Sequence, residues 1–403
     1  MSFIYNNKIQ YSDTQNLDAF GRLRVSQLTT MLEVKYMFDK LPLLVDEATN
    51  GTGATSNFIL SASCVNMNVS NNNDFVIRQT KNRGVYQPGK SEIVELTFSN
   101  FNIETNVIKR VGYYSTSTAS TFDSQFDGFF LESNGNTNEI SFNIYQSGVK
   151  ILGSPLSAWT TTEFNPTSID WVKTQLMMVD FQWLGVGRLR FSMLFNGIPY
   201  TFVTNSGSNV LNEVYMKSPN QPLRYEIRSS GGTGSFNQIC SQSSIEGTTN
   251  QLTYAVGING SISFGPASSN VKYPVIGWKL SDLFTGVEST ARGLSILNQT
   301  NDDYVAELIF NPVLSSPITY SALTNTPLSY GVGNGSITSS GGTIMHTTFG
   351  TGGNSITDNI LLTYNNIKPG VNINGSKDIV WLCITPLSNS STFKAAINLE
   401  YFV

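Results

Sequence analysis

Arg188-Leu-Arg-Phe-Ser-Met-Leu-Phe195, Asn196-Gly197 and Ile198-Pro-Tyr-Thr-Phe-Val203 form the stretch that decides the fold. Two strand-length runs flank Asn-Gly, the dipeptide that best tolerates positive φ at both centres of a two-residue hairpin turn. In the first run Leu189, Phe191 and Leu194 supply an apolar side, while Arg188, Arg190 and Ser192 point the other way. The reading is an antiparallel hairpin with both arginines on one surface.

The same grammar runs outward from the hairpin. Upstream come FILSASCVNMNV (58–69), DFVIRQT (74–80), SEIVELTF (91–98), VIKRVGYY (107–114), GFFLES (128–133), EISFNIYQ (139–146) and QLMMVDFQWL (175–184). Downstream come QLTYAVGINGSISFG (251–265), GLSILNQ (293–299), DYVAELIF (303–310), DNILLTYNNI (358–367), DIVWLCIT (378–385) and FKAAINLEYFV (393–403). Most are rich in Val, Ile, Phe, Tyr and Thr and are separated by Gly, Asn, Ser or Pro, which is the signature of short strands joined by turns. An all-β chain follows, with an N-terminal arm over 1–40, a β-sandwich over 41–280 and a second β-domain over 281–403. Residues 28–39 fit either a short helix or part of an extended arm laid across a neighbour. The Gly-rich stretch 331–355 reads as a long exposed loop, with a β-excursion as the alternative.

Composition narrows function. The 403 residues include one histidine, three cysteines and 13% charged residues, with a net charge of −4. Such a surface has no basic face to displace counterions from phosphates, so nucleic acid is not an expected partner. Cys64, Cys240 and Cys383 have no metal-ligand or redox spacing and read as buried thiols in a chain folded in a reducing cytoplasm. Met1–Gln10 lacks the charged and apolar regions of a secretion signal, and no run of about 18 apolar residues suggests a membrane span.

The residues that carry chemistry are few. His346 sits in TIMHTTFGTGG, with no adjoining acid and no GxSxG nucleophile motif in the chain, and reads as a solvated loop residue. Glycoside hydrolysis needs only two carboxylates roughly 5–10 Å apart. Asp123, Asp127, Glu132 and Asp180 are the acids weighed for it, but none falls in a tight alternating array. Asn71–Asp74 and Asn301–Asp303 offer oxygens for calcium and equally read as turns. No catalytic residue, cofactor or metal is therefore assigned. Aromatic rings remain, since sugar rings stack on Trp and Tyr. Trp183 and Trp278 are the candidate glycan-stacking residues, against a default of core packing.

From Asp127 to Arg228 the order of strands around WLGVGR and the N-G turn resembles concanavalin-like or laminin-G-like jelly-roll sandwiches. A second resemblance is to structural proteins of tailed-bacteriophage virions. It rests on DAFGRLRVS (18–26), YQPGKS (86–91), FQWLGVGR (181–188) and the RYEI segment around Tyr225. It implies a non-enzymatic component of a virus particle, assembled in the host cytoplasm and docked on capsid or tail proteins. The expectation is a homo-oligomer, a trimer before other states. Arg22, Arg24, Arg188 and Arg190 are its candidate subunit contacts, because the planar guanidinium suits pairing with a neighbour's acids. The preferred reading of Gly185-Val-Gly187-Arg188 is structural, with glycines that let the strands bend and an arginine for an ion pair, and the subunit contact through Arg188 and Arg190 is its alternative. The alternative is a carbohydrate- or receptor-binding module, with a host surface glycan as partner.

Overall fold

The computed structural model describes residues 2–5, 8–11, 17, 23, 25, 27–116, 125–161, 164–248, 253–263, 270–352, 355–358, 368–387 and 392–402. They form two compact units, Met1–Asn250 and Gln251–Val403. Among the described residues no helix is long and apolar enough to cross a membrane.

The first unit opens with a two-stranded pair, β1 (Ser2–Tyr5) and β2 (Lys8–Tyr11). Its sandwich is then built in chain order from β3 (Leu28–Lys35), β4 (Val45–Asn50), β5 (Thr55–Ile59), β6 (Cys64–Val69), β7 (Phe75–Thr80), β8 (Glu92–Ser99), β9 (Val107–Ser115) and β10 (Asp127–Asn134). It continues with β11 (Glu139–Gln146), β12 (Val149–Pro155), β13 (Gln175–Phe181), β14 (Arg188–Phe195), β15 (Ile198–Ser206), β16 (Leu223–Ser229) and β17 (Gly234–Glu246). One antiparallel sheet runs β12-β11-β10-β9-β16-β7-β4, and the other β15-β14-β13-β8-β17-β6-β5, with β3 beside β17. The chain passes repeatedly from sheet to sheet, and β16 and β17 enter the middle of their sheets last. This is a jelly-roll-type β-sandwich with an N-terminal arm.

Alternation fixes the register. Val94, Leu96 and Phe98 of β8, Met177, Val179 and Phe181 of β13, and Leu223, Tyr225 and Ile227 of β16 are all fully buried in one core cluster. Burying each such side chain is worth about 1.5–3 kcal/mol, so a one-residue slip that turned the set outward is strongly disfavoured. On β14 the inward set is Leu189, Phe191 and Met193, while Leu194 is only half-buried; strand period two selects Met193 in place of the expected Leu194. The turn itself is as read, with Asn196 at φ 52° and Gly197 at φ 78°.

Residues 28–35 are neither a helix nor an arm on a neighbour: β3 pairs with β17 from Leu28↔Glu246 to Lys35↔Cys240 of its own chain. Alternation in LTTMLEVK, with Leu32 and Val34 buried, favours the strand.

The second unit contains β18 (Thr253–Ser263), β19 (Tyr273–Leu280), β20 (Glu288–Asn298), β21 (Tyr304–Phe310), β22 (Val313–Leu314) and β23 (Ser321–Ala322). It also contains β24 (Leu328–Val332), β25 (Ser339–Ser340), β26 (Thr343–Gly350), β27 (Ser355–Asp358), β28 (Ile379–Pro386) and β29 (Thr392–Phe402). The sheets are β18-β29-β20-β27 and β23-β24-β19-β28-β21-β26, plus the β22-β25 pair. The boundary expected near 280 moves to 250/251, because β18 and β19 hydrogen-bond to β29 and β28. The Gly-rich stretch holds a full strand, β26, paired with β21. Of the expected strand 358–367, residues 359–367 lie outside the described residues.

Candidate functional site

Three connecting segments meet at the end of the sandwich where β8 and β16 begin and β13 ends: 81–91, 182–187 and 207–222. They include the YQPGKS motif and the QWLGVG centre of FQWLGVGR. Their backbones are tied directly, Gly84 N to the Gln221 carbonyl at 3.2 Å and Tyr215 N to the Gly185 carbonyl at 3.1 Å. Side chains complete the tie, Tyr86 N donating to Asn220 Oδ1 at 2.9 Å and Trp183 Nε1 to the Met216 carbonyl at 3.1 Å. The Tyr86 and Trp183 rings meet edge to face at 6.1 Å.

The 182–187 turn is tight for identifiable reasons. Gly187 N donates to the Trp183 carbonyl at 2.7 Å, and a Cβ on Gly187 would lie 1.7 Å from the Gln182 carbonyl oxygen. Leu184 is held at φ 34°, a region that branched L-residues rarely adopt, with its side chain 53% exposed. Backbone strain of this kind persists only where the surroundings over-determine it, and it collects at functional sites.

Beneath the segments lies a buried polar cluster. Asp127, at the start of β10, accepts from Lys217 N at 2.7 Å, Ser218 N at 3.1 Å, Ser147 N at 3.2 Å and Gln221 Nε2 at 2.7 Å. Gln221 in turn accepts from Arg83 at 3.3 Å, so a neutral amide stands between a buried guanidinium and a buried carboxylate. Burial pulls the Arg83 pKa down to about 10, against the opposing pull of Tyr113 and Asp127.

Glu92 is 1% exposed and accepts a hydrogen bond from the Ser243 hydroxyl. Burial pushes its pKa up to about 7, although Ser243 and Tyr113 favour the charged form. Its Oε2, both amide atoms of Gln182, and the hydroxyls of Tyr86, Tyr113 and Tyr215 have no well-formed partner. Buried polar atoms are nearly always satisfied, so this end has unmet capacity for water or for a ligand's hydroxyl groups.

The structure separates the residues singled out from sequence. Trp183 is at the loop end, half-buried. Trp278 is 1% exposed, with Nε1 3.3 Å from Ser289 Oγ; it is a core residue of the second unit and not a stacking platform, because its sheet packs that face inward. Arg190 is not a subunit contact. It is 2% exposed, pairs with Asp180 through Nε at 2.9 Å and a second bond to the same carboxylate, and donates to the Leu17 carbonyl at 2.6 Å. Its outward face is thus occupied by the chain's own arm. Arg188 is half-buried at the edge of the 182–187 turn, where its carbonyl accepts from Gln182 N at 3.0 Å. Arg22 and Arg24 lie outside the described residues.

The described acids singled out from sequence are committed to structure. Glu132 bonds Arg110 at 2.6 Å, and Arg110 and Arg224 both bond Glu226, at 2.7 and 2.8 Å. Asp180 holds Arg190, Asp127 holds the Lys217 and Ser218 backbone and the Gln221 side chain, and Asp123 lies outside the described residues. Asp74 accepts from Asn71 N at 2.7 Å and Ser70 N at 3.1 Å, a turn and not an ion cage. Likewise Asn298 caps the 299–303 turn through the Asp302 carbonyl at 2.6 Å. Among the described residues no group of three His, Cys, Asp or Glu is placed to hold a metal. His346 lies half-buried on β26 opposite Leu308, in a strand and not in a loop. Cys64 and Cys383 are buried, but Cys240 is exposed, on β17 beside the register shift between Gln238 and Ser241.

Gln182 and Tyr86 lay inside motifs quoted from sequence, whereas Glu92, Tyr113, Tyr215 and Gln221 carried no local signal. Only the pairing of the two sheets brings them together.

No family model and no curated protein matches the chain. Among solved structures it is similar to the Emp47p carbohydrate recognition domain, at 10% identity and a TM-score of 0.36, over 55% of this chain and 98% of that one. A Bacillus licheniformis beta-glucanase aligns at 10% identity and a TM-score of 0.34, over 55% and 100% of the two chains. A protein of unknown function with a galectin-like fold from Bacillus subtilis aligns at 9% identity and 0.34, over 55% and 100%. These likenesses are distant, and the fold assignment rests on the chain's own strand pairings.

Proposed function

We propose that the chain is a non-enzymatic component of a tailed-phage particle that binds hydroxyl-rich glycan at the loop end of its jelly roll. The observation that carries the reading is a buried set of uncharged hydrogen-bonding groups there, Gln182, Tyr86 and Tyr215, whose contacts with one another and with the 183–184 backbone leave them without a well-formed hydrogen bond, beneath half-buried Trp183. An amide presents donor and acceptor together, and a phenol presents both on one atom, which matches a sugar hydroxyl better than it matches an ion. The commitment of Asp127, Glu132 and Asp180 to internal partners supports binding over hydrolysis. The virion context rests on the motif resemblance, whose YQPGKS and FQWLGVGR segments line this end.

The test is a glycan array with the full chain, followed by calorimetric titration of the best ligand. Trp183→Ala and Gln182→Ala are each expected to weaken binding about tenfold or more, the size of a lost ring contact or buried hydrogen bond. Absence of any glycan signal, or unchanged affinity in both variants, would overturn the binding role. A reconstruction of particles lacking this chain would overturn the virion role separately.

A further inference from the structure

Glu92 occupies an unusual position for a carboxyl. It lies at the first residue of β8, on the inward face that continues through Val94, Leu96 and Phe98, so it points between the sheets at their mouth. Gly84 leaves it room: a Cβ there would sit 3.0 Å from Glu92 Oε1, 2.4 Å from the Tyr113 hydroxyl and 3.2 Å from Ser243 Oγ. The titratable groups facing it are phenols, Tyr113 from β9, Tyr86 from the 81–91 segment and Tyr215 from the 207–222 segment. From β17 the neighbour is the Ser243 hydroxyl. Arg83, a buried cation of the same cluster, acts on Tyr113 and Asp127.

We propose that Glu92 is a proton-operated latch for the loop end. Protonated, its carboxyl both donates and accepts among Ser243, Tyr113 and the unpaired hydroxyls, and the 81–91 and 207–222 segments stay packed. Ionised, it is a buried anion beside phenols that remain neutral, and it draws water in between the sheets, loosening the segments that cover it. The proton passes directly to solvent; no other reactant takes part. The raised pKa, about 7, places the change near neutrality. The latch goes beyond glycan recognition, because its opening is a property of the unliganded chain.

The experiment is hydrogen exchange on the full chain between pH 5.5 and 8.5, with rates corrected for the intrinsic dependence of amide exchange on pH. Peptides from 81–91 and 207–222 are expected to lose protection several-fold as pH rises from 5.5 to about 7 and to level off above it, while β13 and β14 peptides hold theirs. Glu92→Gln, which keeps the shape and cannot ionise, is expected to stay protected throughout. A wild type with flat protection, or a Glu92→Gln protein with the same transition, overturns the proposal. Should Glu92→Gln not fold, infrared difference spectra of the wild type decide: loss of a buried carboxylic-acid carbonyl band with a midpoint near pH 7 supports the latch. No such band overturns it.

Discussion

Arg190 illustrates how a surface residue in a one-dimensional reading becomes an interior one. Strand alternation correctly turned it away from the sandwich core, but Leu17 covers it there, and its guanidinium is shared between that carbonyl and Asp180. Removing one member of a buried ion pair strands the other, at a cost of about 3–5 kcal/mol. Arg190→Ala is accordingly expected to lower stability by that amount in urea titrations, with the oligomeric state unchanged in sedimentation. Glu92 gives the opposite pH behaviour from a paired carboxylate. Its folded pKa of about 7 lies above the unfolded value of about 4.5, so the folded state holds the extra proton between those pH values. The contribution of Glu92 to stability is therefore full below pH 4.5 and falls as pH rises to about 7, by an order-of-magnitude 3 kcal/mol relative to Glu92→Gln. Denaturant midpoints of the two proteins at pH 5 and pH 8 check the sign.

Elements were more legible than the contacts between them. The β14–β15 hairpin followed from Asn196-Gly197 because a two-residue turn with both φ positive admits few other dipeptides, and the structure holds them at 52° and 78°. Gly197→Val should cost about 1 kcal/mol or more, since a β-branched residue resists that backbone, and thermal unfolding would show it. By contrast, β3 was ambiguous because eight residues with apolar positions at Leu28, Met31, Leu32 and Val34 fit more than one period. Its pairing with β17, some 200 residues away, settled the choice, and no local pattern encodes so distant a partner. The loop-end site was half-readable for the same reason. Tyr86, Gln182 and Trp183 stood in distinctive motifs, but Glu92, Tyr113 and Ser243 belong to three strands in two sheets and meet only in the fold.

At the scale of the whole chain, strand pairing explains why the boundary expected at 280 lies at 250/251. β18 and β19 look like a continuation of the sandwich pattern in sequence, yet β18 runs the full length of β29, from Thr253↔Phe402 to Ser263↔Thr392. Each unit then buries its own apolar faces. In the first, β16 and β17 complete the sheet centres; in the second, Tyr304 meets Phe393 edge to face at 5.0 Å and Trp278 reaches Ser289 from β19 to β20. A unit with its own core and with all its named strand pairings internal should fold alone. A specific protease site placed between Asn250 and Gln251 is therefore expected to yield two fragments that remain soluble after separation, each unfolding in a single cooperative transition. A split near residue 280 should instead leave a C-terminal fragment lacking β18 and β19, with β29 and β28 unpaired along one edge, and that fragment should aggregate. Equal behaviour of the two split proteins in calorimetry and light scattering would show that the strand pairings of β18 and β19 do not define the second unit.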